Sequence, residues 1–295
     1  MRTVLKAFAA IVVVLAASLL WRVVTLPPVT ASEPAWSPNG QELAFSSDRG
    51  GTRAVFRMRL DGGVATRVTP AGVAAHYPTW SPDGTRLAYA SKEPEGWTIC
   101  ILNLGDSSAG CLMATGARNP MRASWSPSGH RLAIPITEDG NQDIWIVDLQ
   151  TGDRSVVGRD PSVDDHPAWS PDGTQLAFSS ERTGDRELFI LDLGSGTVSR
   201  LTESPSYDGF PAWSANGETI AFVSTRSGIR AIHTIDLNSR EVRGITDGVG
   251  RAFYPTWSPD GTTIAFMSDR DGDEALFAVS PTGAGLRRLT PPAGS

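Results

Sequence analysis

The sequence predicts an all-β, six-bladed propeller, and three observations carry that prediction. The octapeptide Tyr-Pro-Thr-Trp-Ser-Pro-Asp-Gly occurs twice, at residues 77–84 and 254–261. Looser copies begin at Pro34, Ala123, Pro167 and Pro211, so Trp36, Trp80, Trp125, Trp169, Trp213 and Trp257 follow one another at intervals of 44 or 45 residues. The 264 residues from Ser32 to Ser295 hold six such periods and leave no room for a second domain. A period of about 40–45 residues is the mark of a propeller with one repeat per blade.

The elements follow in chain order. Residues 1–31 read as a signal peptide or signal anchor. Arg2 and Lys6 precede an apolar run from Ala7 to Trp21, and Val29-Thr30-Ala31 is a tolerable cleavage site. With its neighbours, the run over residues 4–21 could instead stay as an apolar helix anchoring the chain to a membrane. No cysteine lies near it, so a lipid anchor is not expected.

Residues 32–295 form the propeller, with blades starting near 34, 78, 123, 167, 211 and 255. In each blade a first strand ends at Trp-Ser. Pro-Asp-Gly or a variant then turns the chain, Pro presetting φ and Gly supplying a positive φ. A second strand follows, as Leu43-Ala44-Phe45 or Ile264-Ala265-Phe266. After a Gly- and charge-rich loop comes a third strand such as Glu187-Leu188-Phe189-Ile190-Leu191, and the fourth ends in Leu-Thr, as at Leu201-Thr202 and Leu289-Thr290. Short β-branched and aromatic runs between turn signals are strands. Blades stacked around an axis bury the faces that none could bury alone.

A formal charge of −6 and 20% charged residues argue against a nucleic-acid partner, which needs a basic face, and against adhesion to anionic lipid. The only cysteines, Cys100 and Cys111, flank the turn around Gly105-Asp106-Ser107 in blade two, within reach of a disulfide if the register places them face to face and separately buried thiols if it does not.

Catalytic motifs are missing: there is no phosphate loop, H-E-x-x-H, C-x-x-C or G-x-S-x-G. Asp269-Arg270-Asp271-Gly272-Asp273 resembles the start of a calcium loop, but Glu274 and Ser280 stand where that loop needs Gly and an acid, and a solvated hairpin loop is the expectation. His130 and His233 read as structural. His76 and His166 precede the first strands of blades two and four, and without a convergent set of partners they read as polar rim residues, with no metal or cofactor expected.

Propellers work through the loops around one mouth of the central channel. The residue three before each Trp is Glu33, Tyr77, Arg122, His166, Phe210 or Tyr254, and one position earlier stand Ser32, His76, Met121, Asp165, Gly209 and Phe253, with Asp208 one further back in blade five. This ring varies around a nearly constant scaffold, which is how rigid folds present binding sites. Tyr, Phe, Met and Arg are enriched at protein interfaces. The aromatics either form a binding surface or plug the channel.

The string P-x-W-S-P-D-G-x-x-[LI]-A-[FY]-x-S, followed by Leu-Thr, resembles the WD-type repeat of the TolB-like six-bladed propellers over residues 34–290. Blade three departs most, with Ala123, Ser128 and Pro135, while blade five carries Ala215-Asn216 and blade six Ser280. TolB has an extra N-terminal α/β domain that is not read in this sequence, so contacts made through that domain do not transfer. The resemblance implies an exported, periplasmic or extracytoplasmic, non-catalytic monomer that binds a protein or peptide partner of the cell envelope at the mouth. Similar propellers also host lyases and hydrolases, which makes a carbohydrate- or ester-acting enzyme the alternative, with His76, Arg122, Asp165, His166 and Asp208 as acid/base candidates. A third possibility is a structural envelope module using its outer faces. Such propellers also precede a peptidase domain, which is not expected in a sequence ending at Ser295.

Overall fold

The computed structural model describes residues 30–117, 119 and 121–291. The apolar run read as a signal or anchoring helix lies outside the described residues. Among the described residues no helix is long and apolar enough to cross a membrane. They form six four-stranded antiparallel sheets, each built from strands consecutive in the chain. The first strands of five blades begin at Ala31, Ala75, Asp164, Asp208 and Ala252, three residues ahead of the repeat motif, and that of blade three begins at Ser124.

The core lies between blades. Six apolar clusters each join residues of two adjacent sheets, and the set closes where Phe45 and Phe56 of blade one meet Met267 and Leu276 of blade six. The Leu-Ala-Phe strand is buried throughout: Leu43, Leu87, Leu132, Leu176, Ile220 and Ile264 are all 0% exposed. Burying a Leu-sized side chain contributes about 1.5–3 kcal/mol. At the closing seam Ala31 N also donates to Glu274 O at 2.8 Å.

The repeated octapeptide is the gasket of these seams. Each turn Ser ties its own hairpin: Ser81 Oγ donates to Asp83 and accepts from Arg86 N at 2.9 Å. Hydrogen bonds from Ser81 and Thr85 hold the Asp83 carboxyl down at about 2. The turn glycines have positive φ and abut the turn proline of the preceding blade. A Cβ built on Gly84 would lie 3.7 Å from Pro38 Cδ, and one on Gly40 would lie 3.7 Å from Pro259 Cδ. Blade five has Ala215 in place of the proline, and the next glycine, Gly261, has nothing within 4 Å of such a Cβ. The Trp indole bridges seams as well. Trp80, Trp125, Trp213 and Trp257 donate to the carbonyls of Ala35, Thr79, Ala168 and Ala212 at 3.0–3.1 Å. Trp36 and Trp169 Nε1 are buried without a partner among the described residues. Finally, the Thr of Leu-Thr accepts from the third strand, as Thr202 Oγ1 does from Leu188 N at 3.0 Å.

In blade two Cys100 stands directly opposite Cys111, and the two are joined by a disulfide.

Candidate functional site at the channel mouth

In five blades the first strand carries one extra residue between the positions paired with the second strand, for example between Ser32 and Ala35 or between His76 and Thr79. At each of these bulges the residue three before Trp is left-handed: Glu33 (φ 57°), Tyr77 (52°), His166 (52°), Phe210 (57°) and Tyr254 (56°). For a residue with a Cβ this conformation costs roughly 1–2 kcal/mol. Strain of this kind clusters at functional sites, and bulges re-aim side chains there. Each left-handed residue precedes a proline, which cannot donate to a ladder and is confined within sheets to edges and bulges. Blade three has Ala123 instead, and Arg122 is not among the left-handed residues.

The re-aimed side chains meet across the axis. Blade one separates blades two and six, yet Tyr77 Oη lies 3.4 Å from Tyr254 Oη with the rings edge to face, their centroids 5.6 Å apart. Tyr254 stands edge-on to Phe210 at 5.0 Å, and Phe210 packs on His166 at 3.8 Å. An aromatic belt therefore crosses the channel, and Phe210 is buried within it. The rings make a continuous row of contacts from Tyr77 through Tyr254 and Phe210 to His166.

Charges surround the belt. Glu33 Oε2 accepts Tyr77 N at 2.8 Å and the Ser46 hydroxyl, while Oε1 lies 3.2 Å from His76 Nδ1. Burial works against the Glu33 anion, but His76, Arg53 and Ser46 outweigh it and hold the carboxyl below its ordinary range. Burial, with Glu33 and Tyr254 nearby, pushes the Tyr77 phenol well above its ordinary value. Burial lowers the Arg122 guanidinium, opposed by Tyr77 and Glu33, and among the described residues Arg122 donates no side-chain hydrogen bond. Asp165 bonds His166 Nδ1 at 2.6 Å and pairs with Arg186; those two partners overcome burial and hold its carboxyl low.

A second tier was missed in the sequence: Arg53, Trp97, Gln142, Arg186, Arg230 and Glu274, each two residues or fewer from the start of a third strand. These are equivalent positions as diverse as the first ring, and reading that diversity round the repeats would have found them. They brace the first ring: Arg53 bonds Ser32, Trp97 packs edge-on to His76 at 5.4 Å, and Arg186 pairs with Asp165.

Blade three breaks the circle. Its first strand spans only Ser124–Trp125, whereas the other first strands have six residues. A cavity of about 690 Å³ opens there, lined by Tyr77, Met121, Gln142, Asp165, His166 and Arg186 among others. Met121 faces it from the irregular segment that replaces the strand. Of the other candidates, Phe253 is buried against Tyr254 at 5.7 Å. Asp208 is fully buried under Arg226 at 2.6 Å and does not line that cavity. His233 is buried on the third strand of blade five. In the calcium-like loop Asp269 pairs with Arg251, and Asp271 and Asp273 pair with Arg288. Among the described residues the grouping of three metal-ligating types is Glu93 with Cys100 and Cys111, and both cysteines are taken by the disulfide.

Similarity to known proteins agrees with this architecture. TolB from Acinetobacter baumannii is 23% identical, with a TM-score of 0.72 over 91% of this chain and 64% of its own, so this chain spans under two thirds of that protein. A protein assigned as TolB from Agrobacterium tumefaciens is 23% identical, with a TM-score of 0.69 over 90% of this chain and 92% of its own. An oligogalacturonate lyase in complex with manganese is 18% identical, with a TM-score of 0.63 over 89% of this chain and 78% of its own. At these identities the likeness is one of fold. No curated protein sequence matches. The family described as TolB beta propeller domain (PD40) matches residues 7–120, 112–233 and 209–294. The chain belongs to the TolB beta propeller domain family.

Proposed function

We propose that this propeller is a non-catalytic, exported protein that binds a protein or peptide partner at the channel mouth. The observation that carries the reading is the set of five left-handed, non-glycine residues aimed into one mouth beside a 690 Å³ cavity. A fold that sustains such strain at equivalent positions, while varying the side chain at each, presents a surface rather than a core. Export is supported by the basic-then-apolar start of the sequence and by the Cys100–Cys111 disulfide, a bond that persists in oxidising compartments. Whether residues 4–21 are cleaved or retained as an anchor belongs to the same proposal. A photo-cross-linking residue placed at Met121 or Gln142 in intact cells is expected to trap a defined partner. The same residue at Gln150, in a turn of blade three distant from the mouth ring, is the control. Equal trapping at both sites would overturn the reading.

One observation favours an enzyme instead: the His166–Asp165 pair faces the cavity beside Arg186, an arrangement suited to general base chemistry. A panel of oligosaccharide and ester substrates tests it, with turnover abolished by His166→Ala as the supporting result.

A further inference from the structure

Along the rim of blades four to six, cations and aromatic rings alternate. Arg186 lies 5.6 Å from the centroid of Tyr207, and Arg230 lies 4.8 Å from the same ring and 5.0 Å from Phe253. Arg251 lies 5.9 Å from Phe253. Gly209 makes the stack possible, since a Cβ there would come within 2.7 Å of Tyr207 Oη.

The cations of this ladder differ in one respect. Arg186 is held by Asp165 and, at 2.7 Å, by Glu181, and Arg251 by Asp269 at 2.7 Å. Asp208 is taken by Arg226 at 2.6 Å. Arg230 pairs with no acid and donates no side-chain hydrogen bond among the described residues. Both ring centroids lie within 5.0 Å of its guanidinium carbon, and among the described residues no acceptor takes the N–H edge of the group. That edge is a planar donor fork matched to a carboxylate. The two rings lead on to the belt: Tyr207 lies 6.5 Å from Phe210 and Phe253 lies 5.7 Å from Tyr254.

We infer that Arg230 is the seat for a peptide carboxylate, set against Tyr207 and Phe253, with the neighbouring apolar side chain of the peptide lying on the belt. The inference rests on the mouth-binding reading and names the chemistry at one end of it. The carboxylate is a chain terminus or an Asp/Glu side chain, and the probes separate the two.

The full chain is titrated with N-acetyl-phenylalanine, its neutral amide, and N-acetyl-glutamyl-phenylalanine amide, while the arginine Nε–H resonances are followed by NMR. At least one carboxylate probe is expected to bind about tenfold or more tighter than the neutral amide, as a hydrogen-bonded charge pair would give. Arg230→Gln should abolish that advantage and leave the amide's affinity unchanged, while Arg230→Lys should keep part of it. The Lys variant also serves as the test if the Gln variant fails to fold. Equal binding of charged and neutral probes, an advantage undiminished in both variants, or no binding of either carboxylate at millimolar concentration overturns the seat. Trigalacturonate binding tighter than every peptide probe overturns the peptide assignment. The cross-linking comparison at Met121, Gln142 and Gln150 judges the mouth itself, so the seat can fail while the mouth stands.

Discussion

Blade three and its five siblings share a core and differ at the mouth. The sibling first strands run six residues through a proline-marked bulge, and blade three keeps only Ser124–Trp125. Yet Leu132, Ala133 and Ile134 are as fully buried as their counterparts elsewhere. At the seam leaving blade three Trp169 Nε1 finds no partner, as Trp36 Nε1 does not at the closing seam, where Trp80, Trp125, Trp213 and Trp257 each find a carbonyl. The second strand builds the seam, and the first strand builds the mouth. A blade can therefore lose most of its first strand, open a cavity of about 690 Å³, and remain a blade.

The largest expected effect tests the shared core. Leu132→Ala and Leu176→Ala should each destabilise the fold by about 2–5 kcal/mol, and by similar amounts. Urea unfolding measures both, and a clearly smaller loss at Leu132 would mean that blade three is loosely packed through its core as well as at its mouth.

Next comes the indole tie. Trp80→Phe removes a buried hydrogen bond to Ala35, while Trp169→Phe has none to remove. The first should cost about 1 kcal/mol more than the second, on top of similar losses of ring volume. Indistinguishable losses would show that the tie contributes nothing to the seam.

The last effect concerns pH on the blade-three side. Asp164, the first residue of blade four, is buried against Arg182 at 2.8 Å, and Arg182 also bonds Gly158 O, where the chain leaves blade three. Burial outweighs the help of Ser180 and Arg182 and raises the Asp164 carboxyl to about 6. Its unfolded value is about 3.9. Between those values the folded state holds a proton that the unfolded state has released, so this group's contribution to stability falls as pH rises through the window. Asp164→Asn should flatten that slope in unfolding midpoints taken from about pH 4 to pH 6.5. An unchanged slope would place the pH dependence in other groups.

Much of this was legible in the residues. Trp spacing showed the number of blades, and Pro-Asp-Gly showed the turns, because both depend on backbone preferences within a few positions. The variable ring was also visible, from Glu33 and Tyr77 round to Tyr254. Its left-handed geometry was not read, although the proline inside five of the six first strands signals a bulge. The departures noted in blade three, Ala123 above all, marked where the circle breaks without showing that the strand there is lost. Nothing in the sequence singled out Arg230.

By itself, then, the sequence determined the repeat, the order of strands within a blade, the turns and the apolar second strand, since each is encoded by neighbours along the chain. Only the tertiary structure decided which side chains meet at the mouth, which arginines find an acid and which do not, where the cavity opens, and which indoles stay untied. Those outcomes rest on contacts between residues one or more whole blades apart, such as Tyr77 with Tyr254, where placement by a fraction of an ångström to a few ångströms decides the partner and no local preference records it.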